Sequence, residues 1–277
     1  IKSYWDKTAL SNYEGESFTF CQIATKIEKF HILFQNAGIK KGDRVAICAR
    51  NSARWGISFL SSFTYETVTV PILADFNPEN VNALVDHSES VVLFTDEDIW
   101  KKLDISKMPH VRVVANVSNF ALLYCSDDLV KQAYEGLDAA FSAKYPMGFS
   151  RENVSYNTNN WEDLAIINYT SGTSSAPKGV MLPYRCLCAT IDYGQRRIPS
   201  SPNYTIVSML PMAHMYGLAY EFLYPLCNGT SITFLGKTLS PSTLLKAMQD
   251  VKPYQIITVP LVMEKVFKSS IKPVLDK

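Results

Sequence analysis

The sequence predicts an α/β fold of layered, doubly wound, mostly parallel sheets flanked by helices. Three observations carry that prediction. Short apolar runs that read as buried strands alternate with helical patterns along the chain, and turn residues punctuate the alternation. Apolar residues make up 47% of the 277 positions and aromatics 12%, enough for a sizeable core. Charged residues make up only 19%, below the ~25% of ordinary globular chains, so disorder is excluded.

The elements follow in order. Ser17 to Phe20 reads as a short strand. Cys21 to Ala37 reads as an amphipathic helix, because Ile23, Ile27, Phe30 and Phe34 fall on one stripe and Gly38 is placed to stop it. Lys41-Gly42-Asp43 turns the chain into a buried strand, Arg44 to Ala49. Ser52 caps a helix running to about Tyr65, and Val68 to Pro71 is the next strand. Asn77 followed by Pro78 is an N-cap and first-turn proline, opening a helix through about His87. Val91 to Thr95 is again a strand. Between about Ser142 and Asp163 the text turns polar and rich in Asn and Ser, which marks a seam between subdomains 1–150 and 151–277. The alternation then resumes: Leu164 to Tyr169 strand, Pro183 to about Arg197 helix, Tyr204 to Met209 strand. Ser231 to Leu235, Thr243 to Asp250 and Gln255 to Val259 read as strand, helix and strand.

Lys+Arg 27 against Asp+Glu 26 leaves a net charge of +1, so no basic field points to nucleic acid or an anionic membrane. No apolar run approaches the ~18–20 residues of a membrane span. The N-terminus lacks both the apolar core of a signal peptide and an initiator Met, which reads as a trimmed chain. Six scattered cysteines, with no CxxC or His-Cys cluster, read as reduced and mostly buried thiols of a cytoplasmic protein.

The informative segment is Asn168-Tyr169-Thr170-Ser171-Gly172-Thr173-Ser174-Ser175-Ala176-Pro177-Lys178-Gly179-Val180, placed after an apolar strand and before a helix. Thr170, Ser171, Thr173, Ser174 and Ser175 put five hydroxyls into six positions. Gly172 frees the backbone so that successive N–H groups can converge, and Lys178 adds a mobile positive charge stiffened by Pro177. Such a loop suits a polyphosphate, whose many oxygens need many donors. It is not a Walker A loop, because Lys178 precedes Gly179 instead of following a glycine. Composition alone is equally compatible with a Ser/Thr-rich surface loop; the full string is not.

The segment resembles the phosphate-binding signature of the adenylate-forming superfamily, approximately Y-T-S-G-T-T-G-x-P-K-G, and matches it at eight of the ten specified positions. Ser174 stands where Thr is usual and Ser175 where Gly is usual. Leu210-Pro211-Met212-Ala213-His214-Met215-Tyr216-Gly217 looks like the next motif of that family, L-P-x-x-H-x-x-G. Softer similarities cover Gly38 to Ile47, Val70-Pro71 and Val259 to Val266, the last resembling the V-P-x-x-x-E-K stretch of long-chain acyl-CoA synthetases. Pro183-Tyr184-Arg185-Cys186 departs from the common T-H-R-N.

The resemblance implies AMP-forming activation of a long-chain fatty acid: its carboxylate attacks the α-phosphate of magnesium ATP, and coenzyme A thiolate then displaces AMP. It assigns Lys178 and Thr170, Ser171, Gly172, Thr173, Ser174 and Ser175 to the ATP phosphates, with Thr170 as a metal-side oxygen. It places His214, Tyr216 and Gly217 beside the acyl substrate, with Lys178 and His214 as the catalytic pair. Met212 and Phe222 read as either pocket lining or core. Another carboxylate, aryl or amino acid, is the alternative within the class, and a non-catalytic nucleotide- or acyl-binding module the alternative outside it. The Y-G-x-T-E motif, the ribose-binding Asp, the hinge and the C-terminal Lys of the family have no counterpart here. That reads as the N-terminal part of such an enzyme, inactive alone, whose chief partner is the C-terminal domain of the same chain. Long-chain substrates partition into bilayers, which admits peripheral membrane contact, though no basic amphipathic helix stands out.

Overall fold

The computed structural model describes residues 1–170, 178–236, 240–268 and 272. The chain opens with a hairpin of β1 (Thr8–Asn12) and β2 (Ser17–Thr19), then α1 (Phe20–Asn36), β3 (Arg44–Cys48), α2 (Ala53–Tyr65), β4 (Val68–Ile72), α3 (Pro78–His87) and β5 (Ser90–Thr95). After a single turn, α4 (Glu97–Trp100), come β6 (Val113–Asn116), β7 (Leu122–Cys125), α5 (Asp128–Glu135) and α6 (Leu137–Lys144). The second half runs β8 (Leu164–Thr170), β9 (Lys178–Pro183), α7 (Tyr184–Arg197), β10 (Thr205–Ser208) and α8 (Met215–Gly217). A π-helical stretch, Leu218–Leu223, then leads to α9 (Tyr224–Cys227), β11 (Ser231–Phe234), α10 (Pro241–Val251) and α11 (Pro260–Val266).

Local chemistry sets the helix starts. Thr19 and Gln22 form a reciprocal capping box at α1, and the Ser52 and Asn77 side chains accept from the backbone N–H of the third residue of α2 and α3. Each cap satisfies an N–H that the helix itself leaves without a partner.

Two sheets result. The larger has the order β7-β6-β5-β3-β4-β8-β9, parallel in its five inner strands and antiparallel at both edges. The smaller has the order β10-β11-β1-β2, with only β2 antiparallel. The period-2 alternation of β3 divides its side chains between two cores. Val45 and Ile47 join the main cluster with α1 and α2, whereas Ala46 and Cys48 face Val81, Leu84 and Val85 of α3. Helices therefore cover both faces of the larger sheet, as a doubly wound arrangement requires. The main core continues into the smaller sheet through Leu10, Ile232 and Phe234. Gly56 in α2 permits that continuity, because a Cβ there would come within 2.8 Å of the Phe222 ring. Both sheets draw strands from either side of residue 150: β1 and β2 lie with β10 and β11, and β8 lies beside β4.

Three expectations change. Lys178–Pro183 is an edge strand, so the signature loop lies within a β8–β9 hairpin and does not run straight into a helix; Pro183 is the N-cap of α7. Gln255 to Val259 is not a strand: only Gln255 bridges, to Ile206, and Ile256 stays 49% exposed. Of the six thiols only Cys48 is buried. Among the described residues no helix is long and apolar enough to cross a membrane.

Candidate active site

The β8–β9 hairpin is pinned at its base and open at its tip. Ala165 and Ile166 are fully buried, and Ile166 registers with Thr69 of β4. At the far end Thr170 and Lys178 sit opposite each other as the last registered pair, both exposed. Ser171, Gly172, Thr173, Ser174 and Ser175, which the sequence assigns to phosphate, lie outside the described residues. Lys178 has no ion pair among the described residues. Gly179 lets the two strands close tightly, since a Cβ there would lie 2.7 Å from Ile167 Cγ2. Tyr169, beside Thr170, is held by His87 at the end of α3, with Tyr169 OH and His87 Nδ1 2.7 Å apart.

The second block leaves the sheet at the end of β10 and is tied down by three polar side chains. Asn51 donates to the Leu210 carbonyl at 2.7 Å and accepts from the Met212 N–H at 3.0 Å. Asn168 Nδ2 donates to the Ala213 carbonyl at 2.8 Å. Glu221 Oε2 accepts from Ser208 Oγ at 3.0 Å and from the Met209 and Leu210 N–H groups at 3.0 and 2.8 Å. Glu221 is fully buried, and burial, only partly opposed by those hydrogen bonds, pushes its carboxyl up to about 8. His214 is exposed and serves as the N-cap of α8. Tyr216 is exposed as well, while Met212 and Phe222 are fully buried and belong to the core. Gly217 is buried beneath Pro211, whose carbonyl oxygen a Cβ would meet at 2.7 Å. The glycine of this motif thus has a steric reason: the turn closes on itself there.

A cavity of about 730 Å³ lies beyond the carboxyl ends of β3, β4, β10 and β11, lined among others by Leu73, Asp75, Ser208, Met209, Pro211 and Ala213. Ligands of open α/β sheets bind in such a crevice. An adjoining groove of about 700 Å³ shares Arg50, Asn51, Leu235 and Gly236 with it. The charges there are paired. Arg50 reaches Asp96 at 3.0 Å and Asp98 at 2.6 Å, and its hydrogen bond holds the Asp98 carboxyl down to about 2. Arg54 binds Glu16 and Lys101 binds Glu97.

The structure therefore brings β8, which leads into the signature loop, against the turn that carries His214. The cavity reaches Pro211 and Ala213 of that turn but is not lined by Thr170, Lys178, His214 or Tyr216. Among the described residues no group of three or more His, Cys, Asp or Glu could hold a metal ion. Sequence reasoning missed Asn51 and Glu221. The available signal for Glu221 was a lone acid inside the apolar run Leu218 to Leu226; Asn51 gave none.

Comparison with known proteins agrees with this layout. A long-chain-fatty-acid–[acyl-carrier-protein] ligase from Arabidopsis thaliana is 27% identical across 96% of this chain and 37% of its own length. A long-chain-fatty-acid–CoA ligase from Rattus norvegicus is 24% identical across 96% of this chain and 36% of its own. The chain thus spans less than two fifths of these relatives. The crystal structure of an anthranilate CoA ligase in complex with anthranoyl-AMP shares the fold, with a TM-score of 0.79 at 17% identity over 94% of this chain and 48% of that one. The family described as AMP-binding enzyme matches residues 1–276, so the chain belongs to that adenylate-forming family and corresponds to its N-terminal part.

Proposed function

We propose that this chain supplies the phosphate-binding and acyl-binding parts of an enzyme that activates a long-chain fatty acid as its acyl adenylate and passes the acyl group to coenzyme A. The observation that carries the reading is the Asn168–Ala213 hydrogen bond, which joins the strand of the phosphate loop to the turn of His214. Two subsites that must cooperate on one reaction are thereby held on one rigid element.

Lys178, exposed and unpaired among the described residues, is available to the β- and γ-phosphates of ATP. Its charge would offset the negative charge that builds on departing pyrophosphate, the kind of stabilisation that dominates phosphoryl chemistry. Thr170 Oγ1 offers an oxygen of the type magnesium prefers, and magnesium in such sites is held largely through substrate phosphates. When bound, the metal would supply further charge neutralisation. His214 and Tyr216, exposed on the turn just past the cavity wall, are assigned to the acyl substrate, while Gly217 closes the turn beneath them. The cavity past β4 and β10 has a mixed wall, with Leu73, Met209 and Pro211 beside Arg50, Asn51 and Asp75, so it can take an apolar chain that carries a polar head. Long-chain ligases among the relatives support that substrate class.

The test is acid-dependent exchange of pyrophosphate into ATP by the complete enzyme of which this chain is the N-terminal part, across a panel of long-chain, aryl and amino carboxylic acids. Exchange stimulated most by long-chain acids is expected. Stimulation by aryl or amino acids alone overturns the substrate class, and no stimulation by any acid overturns the activity.

A further inference from the structure

Glu221 is the one described residue with a buried side-chain polar atom that lacks a hydrogen-bond partner among the described residues, its Oε1. Its other oxygen is crowded: Oε2 alone gathers three donors from three consecutive residues, Ser208, Met209 and Leu210. The place of those donors explains the crowding. β10 follows β11 only as far as Ser208, which registers with Phe234. Beyond it the chain leaves the sheet, and the Met209 and Leu210 N–H groups lose any ladder partner while Leu210 stays buried. A buried N–H must find an acceptor, and Glu221 is the acceptor for both. It reaches them from the π-helical stretch Leu218–Leu223, one turn after the His214 turn has closed. π-helical turns inside helices concentrate at functional sites.

The same three residues build the cavity. Ser208 and Met209 line it directly, and Leu210 leads into Pro211 and Ala213, which line it next. Asn51 and Asn168 fix the later part of this segment, and Glu221 takes up the Ser208 hydroxyl and the Met209 and Leu210 N–H groups at its exit from the sheet. No charged side chain among the described residues contributes to its titration. The carboxyl acts on the segment through hydrogen bonds alone.

We propose that Glu221 is a positioning residue for the acyl side of the site, setting the exit of β10 so that Met209, Pro211 and Ala213 form the cavity wall and His214 is presented beside it. The assignment of that wall to the acyl substrate rests on the function proposed above; the positioning of residues 208–210 does not.

The experiment compares Glu221→Ala and Glu221→Gln with the unmutated protein, by amide hydrogen exchange and, in the complete enzyme, by acid-dependent pyrophosphate exchange. The carboxamide oxygen of Gln can accept the same three donors, whereas Ala removes the acceptor. In Glu221→Ala, residues 205–214 are expected to exchange about ten-fold faster, each amide having lost a buried hydrogen bond, while β3 and β5 exchange as before. KM for the carboxylic acid is expected to rise about ten-fold with KM for ATP unchanged, a loss confined to one substrate. Glu221→Gln should restore both. If the alanine variant does not fold, Glu221→Asp, which keeps the carboxyl but draws its oxygen back by one methylene, is read in the same way. Unchanged exchange in 205–214, acceleration spread evenly over the whole chain, or a Gln variant as impaired as Ala overturns the proposal. An unmutated complete enzyme with no acid-dependent pyrophosphate exchange overturns the functional reading instead, and hydrogen exchange then decides the positioning of 208–210 by itself.

Discussion

Asn168 and Ala213 are joined by a 2.8 Å hydrogen bond from the β8 side chain to the carbonyl one residue before His214. Asn168 is 7% exposed, so the bond is shielded from water and has no easy substitute. Strand and turn therefore move together. Replacing Asn168 by Ala should cost ~1–3 kcal/mol of stability, because the Ala213 carbonyl loses a shielded donor. Urea denaturation measures it. A loss below about 0.5 kcal/mol, the ordinary spread of surface substitutions, would show that the bond does not couple the two segments.

Lys178→Ala separates chemistry from folding. The side chain is exposed at the mouth of the hairpin, so stability should stay within ~0.5 kcal/mol of the unmutated chain. In the complete enzyme, pyrophosphate exchange should fall on the order of 10²-fold, as for removal of one group that stabilises developing charge, with a much smaller effect on fatty acid binding. Equal effects on exchange and on acid binding would argue against a phosphate role.

Gly217→Ala introduces a Cβ 2.7 Å from the Pro211 carbonyl and 3.2 Å from Leu210 Cβ. The first obstacle is backbone and cannot swing aside. Overpacking of this kind costs ~1–3 kcal/mol, and here it would also push the His214 turn outward. A lowered melting temperature together with a raised KM for the carboxylic acid is expected. A variant unchanged in both would mean that the turn is far more compliant than its contacts indicate.

Glu221 makes stability depend on pH with a defined sign. The folded chain keeps this proton up to about 8, whereas the unfolded chain releases it near the ordinary glutamate value of 4.5. Between those values the folded state binds more protons, so its contribution is complete below about 4.5 and is lost as pH rises through about 8. The slope is ~1.4 kcal/mol per pH unit within that window. Denaturation followed from about pH 5 to about pH 9 should show it, and Glu221→Gln should flatten it. A Gln variant with the same slope would assign the titration to another group.

Where a helix start or a buried parallel strand depends on neighbours in sequence, the text was legible. Ser52 and Asn77 cap the helices expected of them, and β3, β4 and β5 fall within a residue or so of the apolar runs that mark them. β9 was not legible because it is an edge strand whose Val180 and Met181 both lie exposed, so no alternation betrays it. The run Gln255 to Val259 misled in the opposite direction: it is apolar and β-branched, yet beside β10 it makes one bridge only. β-propensity without a paired neighbour does not make a strand. At the candidate site, motif spacing is what singles out Thr170, Lys178 and His214 in the sequence. Asn51 and Glu221 act on residues more than ten positions away, a relation that only the folded chain displays.

The order of strands in the smaller sheet also bears on how the chain comes to be folded during synthesis. Leu10 stands in register with Ile232, and Asn12 with Phe234, so β1 waits for a partner strand that lies far later in the chain. Until β11 emerges, β1 and β2 are a two-stranded ribbon with an open edge, marginal in water and prone to pair with a stranger. The larger sheet can assemble its inner strands long before that point. Growth from the ribosome thus favours a half-built intermediate whose N-terminal hairpin is unprotected, and nascent chains are vulnerable there to aggregation and to capture by chaperones.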